Sequence, residues 1–270
     1  MQEFKIVGHI DLPEKKIRPE DFRSLLESEM SIIKNEVNEE VKCNFLNDKA
    51  CIEMAENPDL AKDKKFVSDL ENEWAEFLHK TPEEWRYSKD KNPASITEMV
   101  VTLILHRLLK ERFIVARASS YDDYKHHVDN VLIDKKTGAV VCGFDEVIGY
   151  KGDDGGDKKD EKIKKILSYG GTSLKYGATI VDGKIKRQEF KNIPTFFLSL
   201  SKEELNSLLI DLKAKKPTSE NGKILAHKLL SSLDEQYLEA KGVAVNQALK
   251  ENLDKFADSL EVIRSLVNKE

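Results

Sequence analysis

The 270-residue sequence is poor in cysteine, tryptophan and proline, with 3, 2 and 7 residues respectively. The three cysteines, Cys43, Cys51 and Cys142, are scattered and form no C-x-x-C pair. This excludes a disulfide framework and a zinc site of four cysteines. Long low-complexity tracts are also missing, and a chain with 40% hydrophobic residues has enough apolar surface to fold.

Long apolar runs are missing as well. No stretch approaches the ~20 residues that a bilayer span needs. The first residues, Met-Gln-Glu-Phe-Lys-Ile, do not follow the basic-then-apolar order of a secretion signal. We therefore expect a cytoplasmic protein without a membrane partner.

Charge is distributed unevenly. The net charge is −5, yet the segment from Lys158 to Lys191 contains ten lysine or arginine residues against four acidic residues. A basic surface on an acidic protein suits a phosphate-bearing ligand. The same charges also fit a lysine-rich helix and hairpin that simply face solvent, and both interpretations stay open.

Helical spacing of apolar residues predicts three regions: a mainly helical region over 1–92, an α/β core over 93–214 and a helical region over 215–270. In the first region the pattern predicts helices from Arg18 through Val37, over 48–56 and over 66–78, the last with Trp74 and Phe77 packed inward. Helices over 223–240 and 245–267 would pack on the core or on a partner, which is another protein or a second copy of the chain.

The sequence pattern over 93–214 predicts an α/β (α+β) fold with a mixed sheet. It begins with a strongly apolar helix over 95–112. Strands over 113–118, 128–133 and 139–148 follow in immediate succession, with a turn at Asp122-Asp123 and a tight turn at Gly138. After them come a lysine-rich helix over 158–169, a hairpin at Asp182-Gly183, an apolar strand over 193–200 and a helix that begins with the capping box Ser201 to Glu204.

Three acids lie inside these otherwise apolar strands. Asp129 belongs to the second strand, and Asp145 and Glu146 to the third. Burial of a carboxylate is costly unless a partner, often a metal ion, compensates its charge. These residues therefore indicate a functional site.

Residues 95–201, in the order helix, three strands, helix, strand, resemble the PD-(D/E)XK nuclease superfamily with its restriction-endonuclease-like αβββαβ core. The resemblance rests on this order, on Glu98, on Val128-Asp129-Asn130 and on Phe144-Asp145-Glu146-Val147. It implies Mg²⁺-dependent or Mn²⁺-dependent hydrolysis of phosphodiester bonds in DNA or RNA, with Asp129, Asp145, Glu146 and Glu98 around the metal.

The hairpin register decides the second acid. If residue 129 pairs with 145, Asp145 shares a face with Asp129; if 134 pairs with 139, Glu146 comes to that face. We prefer Asp145 and keep Glu146. Glu98 also lies three residues after Ser95, which equally suits a capping-box glutamate.

The lysine that the family carries two residues after the second acid is replaced here by Val147, or by Ile148 if Glu146 is the acid. Lys159 is the candidate substitute, because it shares a helix face with Ile163; Lys162 and Lys175 are alternatives. The resemblance also implies nucleic-acid contacts from Lys158, Lys162, Lys165 and Lys175. Because the lysine is displaced, the alternative function is a catalytically inactive nuclease-fold scaffold that binds nucleic acid or protein.

Overall fold

A computed structural model describes residues 22–148, 154–214 and 219–269 and, within 154–160, the backbone alone. These residues form a mixed α/β structure, which confirms the predicted class. The helices are α1 (Arg23–Glu40), α2 (Leu60–Phe77), α3 (Pro82–Asp90), α4 (Pro93–Leu109), α5 (Ser120–His126), α6 (Asp154–Ser168), α7 (Lys202–Lys213), α8 (Glu220–Val243) and α9 (Gln247–Val267). The strands are β1 (Phe113–Arg117), β2 (Asn130–Asp134), β3 (Val140–Ile148), β4 (Thr172–Leu174), β5 (Ala178–Val181), β6 (Lys184–Arg187), β7 (Phe190–Ile193) and β8 (Thr195–Leu200).

Four strands form one mixed sheet in the order β1-β2-β3-β8. β2 is antiparallel to both β1 and β3, whereas β8 runs parallel to β3. Two smaller sheets pair β4 with β7 and β5 with β6. The predicted hairpin at Asp182-Gly183 is confirmed, since both residues have positive φ in the β5–β6 turn.

The β2–β3 hairpin turns at Gly138, as predicted. This glycine has φ +69°, and a Cβ placed on it would lie 1.9 Å from the Ile180 carbonyl oxygen. Only glycine suits both the conformation and this close approach. The register shifts by one residue between Leu132 and Ile133, a bulge that affects which side chains meet farther along the hairpin.

Helices cover both faces of the main sheet. On one face α4 packs against β1 and β3, and its Thr102 hydroxyl donates to Asn130 of β2. α6 packs against β3 and β8 and brings Lys162 to Asp145. Asn130 contacts Glu146, which is the neighbour of Asp145 in β3. Since neighbouring residues of a strand point to opposite faces, α4 and α6 lie on opposite sides of the sheet.

The helix predicted over 48–56 is wrong. These residues instead form bridges, Leu46 with Ile52 and Cys51 with Arg117, which attach the segment beside β1. The side chain of Asn47 accepts the N–H groups of Lys49 and Cys51, and this local turn competes successfully with a helix.

The helix predicted over 66–78 begins earlier, at Leu60, and its inward face is only partly as expected. Trp74 packs between aromatic rings, 5.4 Å from Trp85 and 5.0 Å from Tyr124. Phe77 points outward and is 82% exposed, so its predicted inward packing is wrong.

The first three strands do not follow one another directly, because α5 lies between β1 and β2. Ser119 caps this helix, so the turn expected at Asp122-Asp123 is helical. Asp122 is buried and accepts the N–H groups of Lys175 (2.7 Å) and Tyr176 (3.1 Å). Burial raises its pKa to about 6. Asp122 thus anchors α5 to the segment after β4.

The other helices follow the sequence closely. α1 buries Leu26, Met30, Ile33 and Val37, and Ser201 with Glu204 forms the predicted capping box of α7. α9 packs on α4, α8, β3 and β7, so this helix covers the core as expected. The proposed boundaries at 92 and 214 stay predictions. Within the described ranges, no helix has both the length and the apolarity to cross a membrane.

Candidate functional site

The strand acids meet at the open end of the β2–β3 hairpin. Asp129 lies one residue before β2, where its N–H donates to the Phe144 carbonyl (2.8 Å). Its carboxylate Oδ2 accepts the N–H of Glu146 (2.7 Å). The backbone of β3 therefore fixes the Asp129 carboxylate beside the Glu146 residue.

Glu146 is buried on the face that α4 covers. Its Oε1 accepts from the Asn130 side chain (2.9 Å), which is itself held by the Thr102 hydroxyl (2.8 Å). Its Oε2 is buried and meets no hydrogen-bond donor among the described residues. The carboxyl groups of Asp129 and Glu146 are close enough to hydrogen-bond when one of them is protonated.

Both pairings that the sequence left open occur, at different points along the hairpin. Asn130 pairs with Phe144, so Asp129 stands opposite Asp145. Beyond the bulge the register changes, and the Asp134 N–H donates to the Ala139 carbonyl. Although Asp145 was preferred, the acid whose carboxyl group contacts that of Asp129 is Glu146, because Asp129 precedes the regular strand.

Asp145 is buried on the opposite face, where Lys162 of α6 places its Nζ 3.5 Å from Oδ2. A cation of α6 thus reaches Asp145, and the described residue that supplies it is Lys162. The side chains of Lys158 and Lys159 lie outside the described part of the structure. Lys165 is exposed on α6.

Lys175 is remote from the acids. Its Nζ binds Asp63 (2.7 Å) and Asp59 (3.0 Å), which ties the end of β4 to α2. Tyr176 also donates to Asp63 (2.7 Å). Lys175 is therefore paired with acids at the start of α2 and does not substitute for the lysine missing at Val147.

Glu98 lies near the same acids through α4. Asn92 caps this helix and Pro93 is its first residue, so the capping-box interpretation of Ser95 and Glu98 is wrong. The Glu98 carboxylate instead forms an ion pair with Arg117 at the end of β1. Sequence reasoning missed Arg117, although an arginine that closes an apolar strand was a usable signal.

The acids raise one another's pKa. Burial raises the pKa of Asp129 well above its ordinary value, and the charges of Glu146, Glu98 and Asp145 add to this effect. Burial also raises the pKa of Glu146 to about 8, against the hydrogen bonds from Asn130 and Asp129. The pKa of Glu98 is raised by burial, although Arg117 opposes this shift. Among the described residues, the cluster is therefore short of positive charge.

A cleft leads to this cluster, and Asp129, Glu98 and Arg117 line it together with residues of α3 and α5. Asp145 and Glu146 do not line it. Asp129 is therefore the member of the acid pair that a ligand in the cleft would meet.

The described residues contain no group of three or more His, Cys, Asp or Glu side chains arranged to hold a metal ion. The carboxyl contact is thus a pair, Asp129 with Glu146, and Glu98 and Asp145 are each bound to a cation of the protein. Comparison of the chain with protein-family models, curated proteins and solved structures finds no match.

Proposed function

We propose that the protein hydrolyses phosphodiester bonds of nucleic acid with the help of a divalent metal ion. One observation carries this proposal: the carboxyl groups of half-buried Asp129 and buried Glu146 touch at the end of a hairpin, with no cation of the described residues between them. Among the described neighbours, each cation near these acids pairs with another carboxylate, Arg117 with Glu98 and Lys162 with Asp145.

The donor set fits Mg²⁺ or Mn²⁺. Both ions prefer oxygen ligands, and Mg²⁺ commonly uses one or two carboxylates and takes its other ligands from water and phosphate. Asp129 and Glu146 would hold the ion, and the Glu146 Oε2 that lacks a donor supplies a buried ligand atom. When bound, such an ion activates water and neutralises charge that develops on the phosphorus.

The surrounding residues have distinct tasks in this proposal. Asn130, held by Thr102, orients the Glu146 carboxylate through Oε1. The Glu98 and Arg117 pair forms part of the cleft wall beside Asp129. Lys162 keeps positive charge next to Asp145 on the opposite face of the sheet from Glu146, so it is not placed to position water at the Asp129 and Glu146 pair.

The arrangement of elements supports the restriction-endonuclease-like resemblance. The order α4, β1, β2, β3, α6, β8 follows an αβββαβ core, with β8 parallel to β3 at one edge. Two insertions depart from the simplest form: α5 between β1 and β2, and β4 to β7 before β8.

The alternative is a nuclease-fold scaffold without catalytic activity. The absence of lysine at Val147 favours it, as does the engagement of Glu98 by Arg117, which reduces the carboxylates that remain for metal. Titration with Mn²⁺ separates the two functions: the scaffold binds nucleic acid or protein without binding metal at Asp129.

The test is cleavage of DNA and RNA by the purified chain in Mg²⁺ or Mn²⁺, with EDTA as the blank. Asp129→Asn should lower the rate by at least about 100-fold without unfolding the protein. Asp182→Asn is the matched control, since it makes the same change in the exposed β5–β6 turn and should leave the rate unchanged. Undiminished metal-dependent cleavage by Asp129→Asn would refute the assignment.

A further inference from the structure

A short chain of polar side chains lies buried between α4 and the main sheet. Thr102 of α4 and Asn130 of β2 are fully buried, and Glu146 of β3 is also buried. The Thr102 hydroxyl oxygen lies 2.8 Å from Asn130 Oδ1, and Asn130 Nδ2 lies 2.9 Å from Glu146 Oε1. Because these groups are shielded from bulk water, they depend on one another for hydrogen bonds.

The Thr102 hydroxyl has more acceptors than protons. It carries one hydrogen, and two acceptors among the described residues lie within reach: Asn130 Oδ1 and the Glu98 carbonyl oxygen, the latter at 2.7 Å. A threonine inside a helix can donate to the carbonyl four residues before it. Thr97 of the same helix does so, with the Pro93 carbonyl as acceptor at 2.9 Å. Thr102 differs from Thr97 because a side-chain amide competes for its proton.

The position of this proton decides which way the Asn130 amide faces. When Thr102 donates to Oδ1, the amide presents its NH₂ group to Glu146. When Thr102 donates to the Glu98 carbonyl, the hydroxyl oxygen can only accept, so the NH₂ group turns to Thr102 and Oδ1 turns to Glu146. The two orientations differ by a half-turn of a planar amide and occupy nearly the same space.

Only one of these orientations suits a metal ion at Glu146. A carboxylate that binds a cation is ionised and has no proton to donate, so its Oε1 requires a donor. The NH₂ group of Asn130 meets this need, whereas Oδ1 in its place would bring two acceptor oxygens into contact. Glu146 Oε2, which meets no donor among the described residues, then stays available for the ion.

We infer that Thr102 is a positioning residue of the candidate metal site: its hydroxyl proton keeps the NH₂ group of Asn130 on Glu146, and Glu146 then presents Oε2 to the ion. This inference rests on the proposed function and deepens it, because it assigns the orientation of a metal ligand to one hydroxyl group of α4. The ion and the hydrogen bond from Thr102 to Asn130 should stabilise each other.

α4 offers a closely matched pair of variants. Thr102→Val and Thr97→Val make the same change at two buried positions of this helix, and both remove a hydrogen bond to a helix carbonyl. Only Thr102→Val also removes the donor to Asn130.

We expect Thr102→Val to weaken Mg²⁺ binding about tenfold, since loss of an outer hydrogen bond to a metal ligand costs about 10–100-fold in affinity. Thr97→Val should bind Mg²⁺ as the native chain does. Isothermal titration calorimetry of the full chain measures these affinities. Native affinity in Thr102→Val would overturn the inference.

Thr102→Ser separates the hydroxyl group from the rest of the side chain. Serine keeps the donor and loses only the methyl group, so the Mg²⁺ affinity should return to the native value. Urea denaturation checks that each of the three variants is folded at the temperature of the titration. An affinity of Thr102→Ser as low as that of Thr102→Val would contradict a role of the hydroxyl proton.

The orientation of the Asn130 amide can be measured without any variant. In nuclear magnetic resonance spectra of the isotope-labelled chain, the Asn130 NH₂ protons should show stronger contacts with the Glu146 side chain than with the Thr102 methyl group. We expect this order both with Mg²⁺ and in EDTA. The reverse order with Mg²⁺ or in EDTA would overturn the inference.

The two proposals can fail separately. Native protein that binds no Mg²⁺ but shows the expected amide orientation would refute metal-dependent hydrolysis and retain the positioning of Glu146 by Thr102. Metal-dependent cleavage together with native Mg²⁺ affinity in Thr102→Val would retain hydrolysis and refute the role of Thr102.

Discussion

The two ends of the β2–β3 hairpin each bury an acid but treat its charge in opposite ways. At the turn, Asp134 binds Arg112 (2.6 Å) and accepts the N–H groups of Lys136 (2.7 Å) and Thr137 (3.1 Å). At the open end, Glu146 has one side-chain amide donor and two or more acids around it, and burial raises its pKa to about 8.

The difference separates a structural acid from a candidate ligand. A buried carboxylate that holds a turn together is surrounded by donors, because its fixed charge must be compensated in the folded protein. A pair of carboxyl groups that compensate each other only by sharing a proton lowers stability at neutral pH. Such a pair is expected where an ion from solution completes the site.

The largest effect is expected at the turn. Asp134→Ala removes the partner of Arg112 and the acceptor of two backbone N–H groups, so the free energy of unfolding should fall by about 3–5 kcal/mol. Urea denaturation measures this loss. The control is Asp48→Ala, which breaks the exposed pair with Lys34 and should cost less than about 1 kcal/mol. Similar losses in both variants would contradict the structural role of Asp134.

At the open end, the comparison predicts a pH dependence. The pKa of Glu146 rises from 4.5 to about 8 on folding, so the folded state binds its proton more tightly. The associated stability is fully present below about pH 4.5 and is lost as the pH rises through about 8. Between pH 5.5 and 8.5 the free energy of unfolding should fall by about 3 kcal/mol more than in Glu146→Gln.

Denaturation by urea at several pH values measures this difference without metal. Other groups titrate in the same pH range, so the quantity to compare is the difference in the free energy of unfolding between the native protein and Glu146→Gln at each pH. Glu189→Gln, which changes a half-exposed glutamate near β7, should follow the native profile. Parallel profiles for the native protein and Glu146→Gln would show that Glu146 does not hold an extra proton.

Much of the scaffold could be predicted from local sequence. The buried face of α1, the glycine turn at Gly138 and the capping box at Ser201 follow from helical spacing, φ preference and short-range hydrogen bonds. Such signals lie within a few residues of the feature they determine. The failures over 48–56 and at Phe77 occurred where turn chemistry or tertiary packing outweighed apolar spacing.

Of the candidate site, only the acidic residues could be predicted from the sequence. Asp129, Asp145 and Glu146 were identifiable because charge is rare in apolar strands, but their grouping depends on the bulge at Leu132 and Ile133, which no local pattern indicated. Arg117 and Glu98 are 19 residues apart and meet only after α4 packs on the sheet. Lys162 likewise reaches Asp145 through the position of α6.

A divalent ion should reverse the deficit at the open end. Mg²⁺ or Mn²⁺ at ten times its dissociation constant should raise the free energy of unfolding by about 1.4 kcal/mol. At one fixed ion concentration the gain should be larger at pH 8 than at pH 6, because the ion must displace the shared proton. Thermal unfolding with and without metal measures it; Glu146→Gln should lose the gain and Asp182→Asn should keep it. An equal gain in Glu146→Gln would place the ion elsewhere.

The smallest effect concerns Asp145, whose charge is compensated from α6. Lys162→Met keeps the apolar stem but removes the ammonium 3.5 Å from the buried carboxylate. Because Lys162 is 35% exposed, solvent screens the pair, and the free energy of unfolding should fall by about 1 kcal/mol or less. Lys164→Met, on the same helix, breaks a pair with Glu239 in which both side chains are more exposed, and should cost still less. Equal losses in urea denaturation would mean that Lys162 adds nothing beyond a surface charge, and Asp145 would then belong with Glu146 among the acids that the protein leaves short of positive charge.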